Sequence, residues 1–302
     1  MPVDPQFSEI LAMLTSLPPM RNMPLDMVRS GVMPSDQATP VAHVEDRNVP
    51  TPDGPVPVRI YKPRETGSLP LLMFFHGGGF VTGSLNSHDE LARALAVASD
   101  SVVVAVGYRL APENPFPAAI DDCMAAIHWA VAHAAEFGAD ATRLAVAGDS
   151  AGGNLAAVAA LRLRDEAGSI LAAQLLIYPA TDMTRPRKGS MLRTGEGFYM
   201  PQDDLDFFQE SYLGTSDPEN PYISPLCATS VTGLAPAFVI TGEYDPLCDQ
   251  GQDYVRHLLS GGVAAELAHY DGAIHGFLTF PGLMGHEATA RAGAWLRQVL
   301  HQ

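Results

Sequence analysis

Apolar positions along this chain fall into short continuous runs, separated by stretches in which they recur at helical spacing. The runs at 57–61, 71–75, 102–108, 144–147, 175–178, 237–241 and 266–270 are rich in β-branched and other apolar residues and predict strands. Between them, 88–99, 118–137, 151–166, 250–260 and 286–300 carry the one-face spacing of helices. Strands with no polar alternation, each followed by a helix, predict an α/β domain with a parallel sheet covered on both faces. Several of the strands run into Gly, Asp or Pro clusters, which places candidate chemistry at their carboxyl ends.

Two segments break the alternation. In 1–42, Phe7, Ile10, Leu11 and Leu14 share one helical face. In 184–216, Pro201-Gln202-Asp203 opens a helix that carries Leu205, Phe208 and Tyr212. Both are read as a cap over the strand ends, an N-terminal segment and an insertion, on a catalytic domain spanning 43–302.

Composition narrows the partners. With 302 residues, 47 % apolar and 17 % charged, the chain can bury a large core. A net charge of −16 opposes nucleic acid, anionic membranes and polyanionic substrates, and the basic residues are scattered. No stretch approaches the roughly 18 apolar residues of a membrane span, and the N-terminus lacks the pattern of a secretory signal. Cys123, Cys227 and Cys248 are odd in number and far apart, which suits reduced thiols in the cytoplasm and neither a disulfide framework nor a structural zinc. A small-molecule substrate, no stable membrane association and no cofactor are therefore expected; a homodimer is compatible with these features.

The chemistry begins at Gly148-Asp149-Ser150-Ala151-Gly152, a GxSxG motif between a short apolar strand and an alanine-rich helix. In that context the serine sits on a sharp strand-to-helix turn as a nucleophile, and the small flanking residues avoid collisions across the turn. The turn also places Ser150 at a helix N-terminus, where developing negative charge is favoured. Straight after the strand at 71–75 comes His76-Gly77-Gly78-Gly79-Phe80. Glycines let backbone N–H groups approach a tetrahedral oxyanion closely, and each such donor is worth about 3–4 kcal/mol. Gly77 and Gly78 are assigned as donors, with Ala151 as the third. A phosphate loop is excluded, because neither GxGxxG nor Gly-Lys-Ser/Thr is present.

A serine hydroxyl needs a base, and the base needs an orienting carboxylate. Of the ten histidines, five precede Ser150. Among the rest, His257 and His286 lie on helical patterns, His301 is terminal and His269 falls within a strand. His275, in Asp271-Gly272-Ala273-Ile274-His275-Gly276-Phe277, lies just past the last strand and is the predicted base. Asp245, just past the strand at 237–241, is the predicted acid, with Glu243 and Asp249 as rivals and Asp271 as a weaker one. Ser87-His88-Asp89 is set aside, since three consecutive residues cannot converge into a relay.

Taken together, His76–Phe80, Tyr108-Arg109-Leu110-Ala111-Pro112-Glu113, the Gly148–Gly153 turn, Asp245-Pro246-Leu247 and His275-Gly276-Phe277 resemble the hormone-sensitive-lipase-like esterases of the α/β-hydrolase superfamily. The resemblance covers about residues 45–300. It implies an eight-stranded, mostly parallel sheet with a helical cap, and hydrolysis of short- to medium-chain carboxylic esters through an acyl-enzyme on Ser150. It favours Asp245 over Glu243, because the family's acid heads Asp-Pro-Leu; Cys248 stands where the family more often has Arg. Tyr108–Glu113 is read as a rigid turn supporting the His76 loop. Met13, Met20, Met23, Met27, Met33, Met191 and Met200 fall in the two cap segments and are expected to line an adaptable pocket for small, uncharged esters. An amidase or lactonase would use the same triad, and a non-catalytic ligand-binding relative is the rival of another class; His275 argues against the latter.

Overall fold

The computed structural model describes residues 2–30, 38–167, 170–184, 187, 189–194 and 197–302. An eight-stranded sheet forms its centre: β1 (His43–Val49), β2 (Val56–Lys62), β3 (Leu69–Phe75), β4 (Val102–Val106), β5 (Ala139–Asp149), β6 (Leu171–Ile177), β7 (Ala237–Tyr244) and β8 (Ala265–Ile274). The spatial order is β1-β2-β4-β3-β5-β6-β7-β8. β2 runs antiparallel to both of its neighbours, and every pair from β4 through β8 is parallel. The seven strands expected from apolar runs are all present. β1 was not anticipated, because His43-Val44-Glu45-Asp46-Arg47-Asn48-Val49 is a largely exposed edge strand without an apolar run.

Helices among the described residues are α1 (Ser8–Leu14), α2 (Leu25–Ser30), α3 (Asp89–Ser99), α4 (Ala118–His133), α5 (Ala151–Ala167), α6 (Ser190–Arg193), α7 (Gln202–Leu213), α8 (Cys248–Ser260) and α9 (Leu283–Leu300). Side chains alternate across the strands. On β3, Leu69, Leu71, Met73 and Phe75 join the core built with α4, α5 and α8, while Leu72 and Phe74 join the core built with α3 and α9. All seven residues of β3 are buried, as a central strand covered on both faces requires.

The parallel register brings the carboxyl ends together. Phe75 pairs with Gly148, and Asp149 pairs with Ile177. The turns that follow β3, β5, β7 and β8 therefore open on one edge of the sheet, where His76, Ser150, Asp245 and His275 stand. The two misfit segments meet there in part. The N–H of Met20 donates to Asp204 on α7 at 2.7 Å, and Met20 and Leu25 pack on an apolar cluster that includes Met191, Met200, Leu205 and Phe208. The first part of the N-terminal segment goes elsewhere. Phe7 is buried against the α3/α9 core, and the N–H of Asp4 donates to the Gly272 carbonyl at 3.0 Å.

Candidate active site

Ser150 is held in the left-handed region at φ +57, which costs a non-glycine residue strain and projects its hydroxyl from the turn between β5 and α5. The glycines around it are needed for space. A Cβ on Gly152 would run into the Phe75 carbonyl, and one on Gly148 would run into the Gly152 carbonyl.

Ser150 Oγ lies 2.9 Å from His275 Nε2, and His275 Nδ1 lies 2.9 Å from Asp245 Oδ2. Asp245 is fully buried, and its other oxygen accepts the Leu247 N–H at 2.7 Å. The carboxylate is thus fixed by the Asp-Pro-Leu turn before it orients the ring. The ring of Tyr178 packs 4.9 Å from that of His275. Burial pushes the Tyr178 hydroxyl well above its usual range, so it is not a rival base. The rival carboxylates have other partners. Glu243 accepts the Gly272 N–H at 2.8 Å, Asp249 accepts the Ser190 N–H at 2.8 Å, and Asp271 lies 3.6 Å from His269.

The oxyanion assignment needs one correction. The Gly77 N–H donates to Asp149 Oδ1 at 2.9 Å, deep in the protein, and is unavailable to a substrate. Gly78 and Gly79 follow in the loop at φ +113 and +60, and among the described residues their N–H groups have no hydrogen-bond partner. Gly79 lines the pocket together with Ser150 and Ala151. Ala151 opens α5, so its N–H has no acceptor within the helix. Gly79 and Ala151 line the pocket and Gly78 stands next to Gly79 in the loop, so among the described residues the N–H groups left without a partner beside Ser150 are those of Gly78, Gly79 and Ala151, a set in which Gly79 replaces Gly77.

Tyr108 supports this loop as expected. Its hydroxyl donates to the His76 carbonyl at 2.7 Å, and its ring stacks on that of His76 at 4.2 Å. Burial holds His76 down at about 4, so it is neutral at ordinary pH.

Above Ser150 lies a pocket of about 460 Å3, including its open mouth. Met183, Met191, Met200, Leu205, Phe208 and Leu247 give it apolar walls, and Asp182, Arg187, Gln209 and Gln250 form polar ground at its edge. Those polar groups largely satisfy one another. Gln250 accepts from the N–H of Thr181 and of Asp182 and donates to the Asp182 carbonyl; Arg187 binds Asp206 and Gln209. Of the cap methionines, Met191 and Met200 reach the pocket, and Met20 packs behind it. Met13 and Met27 are more than half exposed, Met23 is half-buried, and Met33 lies outside the described residues. Met183 was missed because it precedes the expected insertion by one residue.

Comparison with known proteins agrees with this geometry. The family profile described as alpha/beta hydrolase fold matches residues 72–279. The chain is 44 % identical to a carboxylic ester hydrolase, LipN, of Mycobacterium tuberculosis over 82 % of its own length and 68 % of the relative's. It is 42 % identical to an ethyl acetate hydrolase of Pseudomonas putida, over 78 % and 76 % of the two chains. A solved hyperthermophilic esterase from Pyrobaculum calidifontis superposes with a TM-score of 0.91 at 38 % identity, covering 99 % of each chain. With the elbow, the glycine loop and the Ser-Asp-His order all in place, the chain belongs to the hormone-sensitive-lipase-like esterases of the α/β-hydrolase family.

Proposed function

We propose that this enzyme hydrolyses small, uncharged carboxylic esters by acyl transfer through Ser150. The observation that carries the reading is the unbroken line from Asp245 through His275 to Ser150 Oγ, two contacts of 2.9 Å each, ending at the pocket floor. His275 Nε2 takes the hydroxyl proton as Ser150 attacks the ester carbonyl, and Asp245 holds the imidazole in the tautomer that accepts it. The N–H groups of Gly78, Gly79 and Ala151 bind the oxyanion. The alcohol leaves with the proton from His275, and water then releases the acid by the same route.

The ethyl acetate hydrolase among its relatives supports short acyl groups, and the self-satisfied polar edge of the pocket and the net charge of −16 support uncharged ones. The N-terminal segment and residues 184–216 serve as the cap. Among the described residues no disulfide joins Cys123, Cys227 and Cys248, which supports a reducing compartment such as the cytoplasm.

Initial rates on p-nitrophenyl acetate, butyrate, octanoate and palmitate test the substrate range, with matched amides and lactones in parallel. Acetate or butyrate is expected to lead. A preference for palmitate would overturn the short-acyl reading, and faster amide or lactone turnover would replace the ester. Ser150→Ala is expected to abolish turnover with the fold unchanged by circular dichroism; retained activity removes Ser150 from the mechanism.

A further inference from the structure

Behind the catalytic triad lies a second buried polar relay that the acyl-transfer chemistry does not use. Asp149 directly precedes the nucleophile, yet its side chain points away from the pocket. Its Oδ1 accepts the Gly77 N–H at 2.9 Å, and both of its oxygens stand 3.3 Å from His88 Nε2. His88 Nδ1 in turn lies 2.9 Å from Ser87 Oγ, which accepts the Ser84 N–H at 2.8 Å. The His88 and Asp149 side chains are 7 % and 5 % exposed, so neither charge nor amide has water as a substitute partner. The space is closed as well: a Cβ on Gly77 would strike the Asp149 carboxylate, and one on Gly83 would strike the Gly77 carbonyl and the His76 ring.

This contact has a geometric consequence. The oxyanion hole is assembled from two separate pieces of chain, the loop after β3 (Gly78 and Gly79) and the elbow (Ala151). Asp149 belongs to the elbow and Gly77 to the loop, each immediately beside the donors. Their hydrogen bond ties the two halves of the hole together at the point where their spacing matters. We infer that Asp149, oriented by His88, is a positioning residue that sets the distance between the Gly78/Gly79 amides and the Ala151 amide. It touches neither substrate nor reacting atoms. The inference rests on the catalytic reading given above, and it concerns transition-state binding alone. The oxyanion exists only after attack, so loosening the hole lowers kcat and leaves ground-state binding in place.

The test compares wild type, Asp149→Ala, Asp149→Asn, His88→Ala and His88→Gln on p-nitrophenyl butyrate. Two ketones of matched chain are added: a trifluoromethyl ketone, which forms a tetrahedral oxyanion adduct with the serine, and a methyl ketone, which binds largely unreacted. Asp149→Ala is expected to lower kcat about a hundredfold, the effect of one lost oxyanion donor, with KM within about threefold. Trifluoromethyl ketone affinity falls in parallel with kcat/KM, and methyl ketone affinity stays. Asp149→Asn keeps an oxygen for Gly77 and loses about tenfold; His88→Gln recovers most of what His88→Ala loses, because an amide can donate to Asp149 and accept from Ser87. A kcat within about threefold of wild type in Asp149→Ala, or an equal loss of both ketones, overturns the inference. If Asp149→Ala does not fold, Asp149→Asn and the His88 pair decide by the same two ratios, and His88→Gln no better than His88→Ala removes His88 from the proposal. Turnover surviving in Ser150→Ala would instead bring down the catalytic reading on which this one rests.

Discussion

Asp245→Asn isolates what the buried carboxylate contributes, because the site dictates how an amide must sit there. Asp245 Oδ1 accepts the Leu247 N–H at 2.7 Å, and Oδ2 faces His275 Nδ1 at 2.9 Å. An asparagine has one oxygen and one NH2 group for these two places. Turning the NH2 toward Leu247 sets donor against donor in a fully buried position, so the oxygen stays with Leu247 and the NH2 faces His275. His275 Nδ1 must then accept, which puts the ring proton on Nε2, facing Ser150 Oγ at 2.9 Å. A base already protonated at that atom cannot take the serine proton. The expected cost is about 10^4 in kcat, equivalent to about 5.5 kcal/mol at 1.36 kcal/mol per decade. Every hydrogen bond of the native site has a counterpart in the variant, so stability should change by no more than about 1 kcal/mol. The assay is kcat and KM on p-nitrophenyl butyrate beside a urea melt. Glu243→Gln serves as the control, since Glu243 is engaged by the Gly272 N–H and not by His275. An Asp245→Asn enzyme within about a hundredfold of wild type, or a Glu243→Gln enzyme that loses more, would refute the tautomer argument.

Two further predictions come from other parts of the structure. Burial holds His76 at about 4 in the folded protein against 6.5 when solvated, so the unfolded chain takes up a proton that the folded chain refuses between those values. Stability is therefore full above about pH 6.5 and falls toward pH 4, by about 3 kcal/mol at most from this group; an NMR titration placing the His76 midpoint above 6 would reject it. Met191 lines the pocket and is nearly buried, so Met191→Ala should raise kcat/KM for octanoate relative to acetate by about tenfold. A ratio unchanged within about twofold would mean that Met191 does not limit the acyl chain.

How far the sequence could be read depended on whether a residue's partners lay close in the chain. Buried strands such as β3 announce themselves, because a strand covered on both faces must be apolar throughout. β1 could not be seen that way: its register with β2, His43 opposite Lys62 and Val49 opposite Val56, rests on backbone pairing at an exposed edge. Ser150, Asp245 and His275 were legible because each stands at a strand end in the chain order that this fold uses. Gly77 was misassigned for a physical reason. Three glycines in a row look equivalent, and only the fold shows that one amide is taken by a carboxylate 72 residues away. His88 shows the same limit. Ser87-His88-Asp89 is indeed no relay, since the Asp89 carboxylate turns to Tyr61 and Arg93. The acid His88 does meet is Asp149, inside the nucleophile motif, where the sequence marks it only as the variable position.

Helix α7, the start of the chain and the loop after β3 pack on one another, and this bears on how selectivity and rate are divided between residues. On its inner side the loop is fastened by Asp149. On its outer side, the Phe208 ring of α7 sits where a Cβ on Gly79 would have to go, and Phe80 stacks on Tyr212 of the same helix with ring centres 3.6 Å apart. The N-terminal segment closes the other flank: Arg29 on α2 donates to the carbonyls of Val81 and Ala111 and pairs with Glu113. Through that last contact α2 meets the Glu113 end of the Tyr108–Glu113 turn. A substitution at Phe208 is therefore expected to change the acyl wall and the placement of the Gly79 amide together. Met191 on α6 differs, because its sulfur meets Arg187 and Gln250 at the pocket edge, away from the loop. Chain-length preference can be altered there with the oxyanion donors left in place, whereas at Phe208 any gain in acyl room is coupled to a looser hole.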